Sequence, residues 1–216
     1  AGGEGRGLAE DPRRTCSMSL QDKDYVEGVL AGETQLFEQL VRRYNRMGGA
    51  IAYGVLGDFQ RAEDVVQEAF LKAFRVLDTL REPSRFKQWF AEIVRCKALD
   101  AARVRREQTM ADVEFSAGDF PYRSPAGDVE DEQVRRETQQ RLLEAIRSLP
   151  PPDRTVITLK HMDGLSYKEI AEVTESTVSA VESRLFRARK LLKERLTSWH
   201  SGDSSQSKGS SSSRET

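Results

Sequence analysis

Ser179, Glu182, Ser183, Arg184, Arg187 and Lys190 recur at spacings that one helix displays away from its apolar side, which carries Val178, Val181, Leu185, Ala188 and Leu192 at steps of three and four. The polar set suits the reading of DNA bases. An arginine can bond guanine with two donors, and a glutamate can accept from the amino group of cytosine. Ser179, Glu182, Ser183 and Arg184 come first and suit base edges. Arg187, Arg189, Lys190 and Lys193 follow and suit phosphates, with affinity that falls as salt rises. From Val181 to Arg195 there are six basic residues and two acidic ones.

A second group lies between Arg85 and Arg106. Arg85, Lys87, Arg95, Lys97, Arg103, Arg105 and Arg106 stand against only Glu92 and Asp100, interleaved with Phe86, Trp89 and Phe90. Cations track the backbone of a single strand, and aromatic pockets take unstacked bases. The spacing assigns Phe90 and Ile93 to the core and leaves Trp89 open between core and strand. Asp100 is expected to pair with a nearby arginine. A third group, Asp64, Gln67, Glu68 and Lys72, forms a polar helix face opposite Val66, Phe70 and Ala73; Glu68 and Lys72 are at i, i+4 and can pair.

The elements that must carry these groups are helical. Phe37, Leu40, Val41 and Tyr44 make one stripe. Val66, Ala69, Phe70, Ala73, Phe74 and Leu77 make another, and Phe86, Phe90 and Ile93 a third. Pro83 suits a helix start. No segment alternates long enough to suggest a sheet. Pro150, Pro151 and Pro152 open a helix through Val156, Ile157 and Leu159 that ends near Gly164. Ser166 stands three residues before Glu169, a capping box for a short helix Tyr167 to Val173. A tight turn follows at Thr174 to Ser176, and Thr177 can cap the base-reading helix. Two helices across a tight turn, the second long and basic, form a helix-turn-helix.

The expected fold is therefore all-α: two small helical domains joined by a flexible acidic linker. The expected boundaries are a disordered extension over 1–20, a bundle of about four helices over 21–108, the linker over 109–132, the helix-turn-helix domain over 133–199, and a loose Ser-rich tail over 200–216. Met18 is a candidate start. The 216 residues carry a net charge of −1, so nucleic-acid binding must rest on local patches rather than on overall charge. The two cysteines, Cys16 and Cys96, form no CxxC motif and fit a reducing cytoplasm. No apolar run approaches the ~18 residues of a membrane span, and the opening residues lack the apolar stretch of a signal peptide. His161 and His200 are the only histidines, and no HExxH, P-loop or GxGxxG motif is present. An enzyme, a metal site and a cofactor are not expected. A stand-alone helix-turn-helix regulator is the competing reading.

Leu149-Pro150-Pro151-Pro152-Asp153-Arg154, Gly164 to Val173 (GLSYKEIAEV) and Ser183 to Leu192 (SRLFRARKLL) resemble region four of bacterial sigma factors. Ala62 to Phe74 (AEDVVQEAFLKAF), with Phe86, Trp89, Ile93, Arg95, Ala98-Leu99-Asp100 and Arg103, resembles their region two. Both occur in order, over about Tyr25 to Leu196, as in the extracytoplasmic-function (ECF) group of the sigma-70 family. The resemblance implies a non-catalytic subunit of RNA polymerase that directs initiation. It places core polymerase on Asp64, Gln67, Glu68 and Lys72, and the −10 element on Arg85, Lys87, Trp89, Arg95, Lys97 and Arg103, with a base pocket near Asp78 to Ser84. It places the −35 element on Ser179, Glu182, Ser183, Arg184, Arg187 and Lys190. It further implies an anti-sigma partner, and offers the polymerase's RNA-exit path as a place for the acidic linker, beside the reading of a solvated tether. Three positions depart from the pattern. Glu175 stands where the turn usually has Gly, Glu182 where Lys is frequent, and Cys96 where Asn is usual.

Overall fold

The computed structural model describes residues 20–109 and 129–203, and side chains over 20–104 and 136–197. The N-terminal extension, most of the linker and the Ser-rich tail lie outside the described residues, as do the side chains of Arg105 and Arg106. Among the described residues eight α-helices follow in order: α1 (Asp22–Leu30), α2 (Phe37–Leu56), α3 (Phe59–Arg75), α4 (Phe86–Thr109), α5 (Val129–Arg147), α6 (Pro151–Met162), α7 (Tyr167–Val173) and α8 (Val178–Asp203), with short 3-10 turns at Thr34–Leu36, Leu77–Thr79 and Pro83–Arg85. No strand occurs among the described residues. Helix α5 starts at Val129, inside the expected linker, and α8 runs into the expected tail.

The first four helices form around aromatic side chains. Phe86 and Phe90 of α4 are fully buried, and Phe90 stacks on Phe70 of α3 at 4.2 Å between ring centroids. Phe37 meets Phe70 and Phe86 edge-on. A stack or an edge-on contact of this kind adds to the large area each ring removes from water. Gly48 lets α2 approach this core, since a Cβ there would come within 3.3 Å of Val66. Gly57, at φ +66°, ends α2, and Asp58 caps α3 by accepting from the Arg61 amide at 3.2 Å. Phe90 and Ile93 are buried as expected. Phe74 differs: it is half exposed and reaches Phe37 only by an edge. Its stripe turns outward over the last turn of α3, where no helix covers it.

In the second half, Ile170, Ala171 and Val173 of α7 face Val181, Leu185 and Ala188 of α8, all buried. Ser166 and Glu169 cap α7 reciprocally: the Glu169 amide donates to Ser166 Oγ at 3.3 Å, and the Ser166 amide to Glu169 Oε2 at 2.9 Å. Thr177 Oγ1 accepts from the Ala180 amide at 3.1 Å, which starts α8. The turn between them passes through Glu175 at φ +48°.

The two halves are packed together. Helix α6 lies along the C-terminal half of α2, the most extensive helix pairing in the molecule. From Met47 to Leu56 the chain carries no charge, and only Gly49 and Val55 are even partly exposed. A helix apolar all round must be covered all round; α3 and α4 cover one side and α6 the other. Gly54 permits the close approach, because a Cβ there would fall 2.6 Å from the Thr155 Cα.

Candidate nucleic-acid interface

Helix α8 presents its inner side to α6 and α7 through Val181, Leu185 and Ala188. At about 100° per residue, Ser179, Ser183, Phe186, Arg187 and Lys190 then occupy the outward side, with Glu182 on its border. All six are exposed. Arg184 sits on the flank and is half-buried, away from the centre of that face. Phe186 is 72% exposed, an aromatic ring among polar neighbours, and was not among the residues expected from sequence. The signal was present: an aromatic residue at a position that the helical period assigns to the polar side.

Arg187 has a structural task as well. Its Nε and Nη2 donate to Asp153 at 2.6 and 2.7 Å, and Asp153 is 0% exposed. The carboxylate, at the first turn of α6, gains both its donors from α8. This hydrogen bond holds the Arg187 guanidinium charged even more firmly than usual. Arg187 therefore pins α8 to α6, and only the remainder of its guanidinium faces solvent.

The second basic group does not converge on one face. Arg85 and Arg103 are exposed at opposite ends of the stretch. Lys97 points to α3, where its Nζ donates to Glu68 at 2.7 Å. Glu68 thus pairs with Lys97 rather than with Lys72. Arg95 holds Glu92 with two donors at 2.7 Å and lies 4.0 Å from Glu175. Lys87 Nζ donates to Glu169 of α7 at 2.8 Å. Trp89 is half-buried against Phe86, 5.8 Å between centroids, with one side left exposed. Asp100 is exposed and makes no ion pair with a described residue; the expected arginine partner is not there, and Arg61 donates instead to the Ala101 carbonyl at 3.2 Å. Cys96, exposed, donates to Glu92 at 3.2 Å, and this hydrogen bond, with partial burial, pushes its thiol pKa up.

Asp64, Gln67, Glu68 and Lys72 all lie on the outer side of α3. A shallow open groove between α3 and α4 runs beside them, lined by Glu68, Leu71, Lys72, Arg75, Val76 and Lys97. Leu71 and Phe74 on α3, and Leu99 and Val104 on α4, are exposed apolar residues of the same two helices. Phe74 was placed in a core stripe from sequence, whereas Leu71, Leu99 and Val104 were not singled out as apolar surface. Among the described residues no group of His, Cys, Asp and Glu is arranged to hold a metal ion, and no helix is long and apolar enough to cross a membrane.

Comparison with known proteins agrees with this layout. The family model "Sigma-70 region 2" matches residues 40–108, and "Sigma-70, region 4" matches 139–192. The chain is 36% identical over 185 residues to the RNA polymerase sigma-H factor of Pseudomonas aeruginosa, covering 82% of this chain and 94% of that protein. It is 35% identical over 187 residues to the ECF RNA polymerase sigma-E factor of Escherichia coli K12, covering 83% and 96%. Among solved structures it is similar to CnrH in complex with the cytosolic domain of CnrY (27% identity, TM-score 0.58, 82% of this chain and 97% of that one). It is also similar to RpoE in complex with the anti-sigma factor NepR from Bartonella quintana (26%, TM-score 0.58, 74% and 96%). With both family regions present in order and relatives 35–36% identical over most of the chain, the chain belongs to the ECF group of the sigma-70 family, the non-catalytic initiation factors that direct RNA polymerase to promoters.

Proposed function

We propose that residues 133–199 form the unit that reads the −35 element and residues 21–108 the unit that holds the −10 element and core polymerase, with 109–132 as the tether. The observation that carries this reading is the two-sided α8: a buried inner side fixed by α6 and α7, and an outer side of Ser179, Ser183, Phe186, Arg187 and Lys190 bordered by Glu182. A helix so fixed enters a major groove with its N-terminal residues at base edges. Glu182 and Ser183 read bases, Phe186 offers an apolar contact to a thymine methyl, and Arg187 and Lys190 neutralise phosphates. Arg184 contributes from the flank.

In the N-terminal unit, Arg85, Lys87, Trp89, Arg95 and Arg103 take the −10 strand. Asp64, Gln67, Glu68 and Lys72, together with Leu71, meet core polymerase, and Lys97 joins the two surfaces through Glu68. An exposed apolar side chain within a ring of charges is the composition of a protein interface. Since CnrH and the Bartonella RpoE were solved with CnrY and the anti-sigma factor NepR, this chain too is assigned an anti-sigma partner, and the cytoplasm as its place of work.

Transcription from a library randomised across the −35 element tests the reading set. Glu182→Lys exchanges an acceptor for a donor, so the preferred base at one position changes while the rest of the element stays. An unchanged preference removes Glu182 from the set. For the polymerase face, Asp64→Ala with Gln67→Ala weakens binding to core polymerase with the helical content intact; unaltered affinity returns that face to solvent.

A further inference from the structure

Asp153 and Arg154 are neighbours in the first turns of α6, and both are buried. They turn opposite ways. Arg154 donates from Nε to the Gly54 carbonyl at 2.8 Å and from Nη2 to the Val55 carbonyl at 2.9 Å, both on α2. Asp153 turns to α8. Its Oδ2 accepts from Arg187 Nε at 2.6 Å and its Oδ1 from Arg187 Nη2 at 2.7 Å. Pro151 and Pro152, which precede it in the helix, have no N–H to give that carboxylate. The first turn of α6 nevertheless favours its charge, because the N-terminal end of a helix is positive. The pair of Asp153 and Arg187 thus belongs to α6 and α8 alone, within residues 133–199.

The two partners are buried unequally. The Asp153 side chain is 0% exposed and that of Arg187 is 59% exposed. A guanidinium carries five N–H donors in one rigid plane. Asp153 takes two of them along one edge, from Nε and Nη2. The other edge, made by Nη1 and the second Nη2 hydrogen, keeps two parallel donors, which match two oxygens of one phosphate. Arg187 follows Ser179 by eight residues. That is about 12 Å along the helix, past the N-terminal part that suits base edges. Lys190, three residues on, has a partner of another kind: Glu194 lies 4.0 Å away and both side chains are exposed. Such a pair fixes little. An arginine that meets DNA ordinarily gives up side-chain freedom, which weakens binding. Arg187 has given it up on folding.

We propose that Asp153 is a positioning residue for the −35 element: from the interior it holds one edge of the Arg187 guanidinium, so that the other edge is set for a single DNA phosphate. Asp153 itself touches no DNA and acts through Arg187. The inference rests on the assignment of α8 to the −35 element.

The test maps phosphates one at a time. A promoter duplex selected by the wild-type holoenzyme from the −35 library is made with an uncharged methylphosphonate at each −35 linkage in turn. Affinity is measured by fluorescence anisotropy for holoenzyme rebuilt from core polymerase and the full-length chain. The wild type loses on the order of tenfold at one linkage, the usual effect of losing a charge-assisted hydrogen bond. Arg187→Gln, whose amide can still donate to Asp153, abolishes that peak and so assigns it. Asp153→Asn keeps the shape of the side chain but offers Arg187 one acceptor in place of two. Its loss at that linkage falls to the level of the neighbouring linkages, which respond as in the wild type. A slackened α8 would instead lower affinity at every linkage alike. Adding Asp153→Asn to Arg187→Gln changes nothing further, as for two residues that act as one. Should Asp153→Asn fail to fold by circular dichroism, Arg187→Lys decides: it keeps the charge and a donor for Asp153, but one nitrogen cannot serve two edges, so the peak is lost. A peak that survives in Arg187→Gln, Asp153→Asn or Arg187→Lys, or a further loss in the double variant, overturns the proposal and leaves the −35 assignment standing. A wild-type map without dependence on any −35 phosphate overturns that assignment, and the proposal with it.

Discussion

Arg187 shows how one side chain serves two ends. In the proposed reading it offers charge to DNA, and in the structure it supplies both donors to a carboxylate that has no access to water. Removing it leaves Asp153 buried and unpaired, a far costlier state than losing an exposed pair. Arg187→Ala is therefore expected to lower the thermal midpoint as well as promoter affinity, whereas Lys190→Ala lowers only affinity and reduces the salt slope by about one. Thermal melts beside anisotropy titrations separate the two, and equal midpoints would show that Asp153 finds another partner. Phe186→Ala should leave stability unchanged and blunt discrimination at one base, read on a promoter library. At the turn, Glu175 occupies the left-handed region, where a side chain is strained. Glu175→Gly should add about 1 kcal/mol to unfolding free energy in urea, because the 4.0 Å approach to Arg95 that it gives up is worth little at an exposed site.

At the scale of elements, local chemistry was legible. The Ser166–Glu169 capping box and the Thr177 cap sit where the sequence put them, because both are decided by residues three positions apart. Four N-terminal helices were expected, and four form. Element ends were less legible: α5 begins at Val129, inside a stretch that its acidic composition marked as linker, since Glu130, Asp131 and Glu132 are acidic but acceptable in the first turn of a helix. The outward turn of Phe74 escaped for a related reason, as a stripe does not announce where its cover stops. Phe90→Ala in α4 should cost about 3–5 kcal/mol, measured by denaturant unfolding, because the ring is fully buried and stacks on Phe70. A loss below 1 kcal/mol would mean that this core collapses around the cavity.

For the whole molecule, the contact between units was the least legible feature. The uncharged run Met47 to Leu56 says that α2 must be covered, but not by what, and the partners of Arg154 lie about 100 residues away in the chain. The six expected −10 residues likewise do not share a face. Lys87 and Arg95 meet the second unit, and Lys97 meets α3, because position around α4 and not nearness in sequence decides their company. The Lys87–Glu169 pair gives the contact between the units a pH limit. The Lys87 ammonium, followed by the Ser166 donors, pulls the Glu169 carboxyl down to about 2 from 4.5, against the opposing effect of partial burial. A carboxyl held lower in the folded state contributes above its unfolded value and loses that contribution as it is protonated. The contribution is thus complete above about pH 4.5 and fades toward pH 2. The resonance of the Glu169 carboxyl carbon follows it; a midpoint near 4.5 would mean that Lys87 does not hold it. Glu169→Gln should remove this acid limb from the stability profile.

Initiation by purified core RNA polymerase on a library of promoters, with start sites mapped, tests the assignment as a whole. With this chain added, polymerase is expected to start at a defined subset sharing one −10 and one −35 sequence, and Lys190→Ala weakens all of that subset alike. No binding to core polymerase, together with tight duplex binding by the chain alone, would contradict the account.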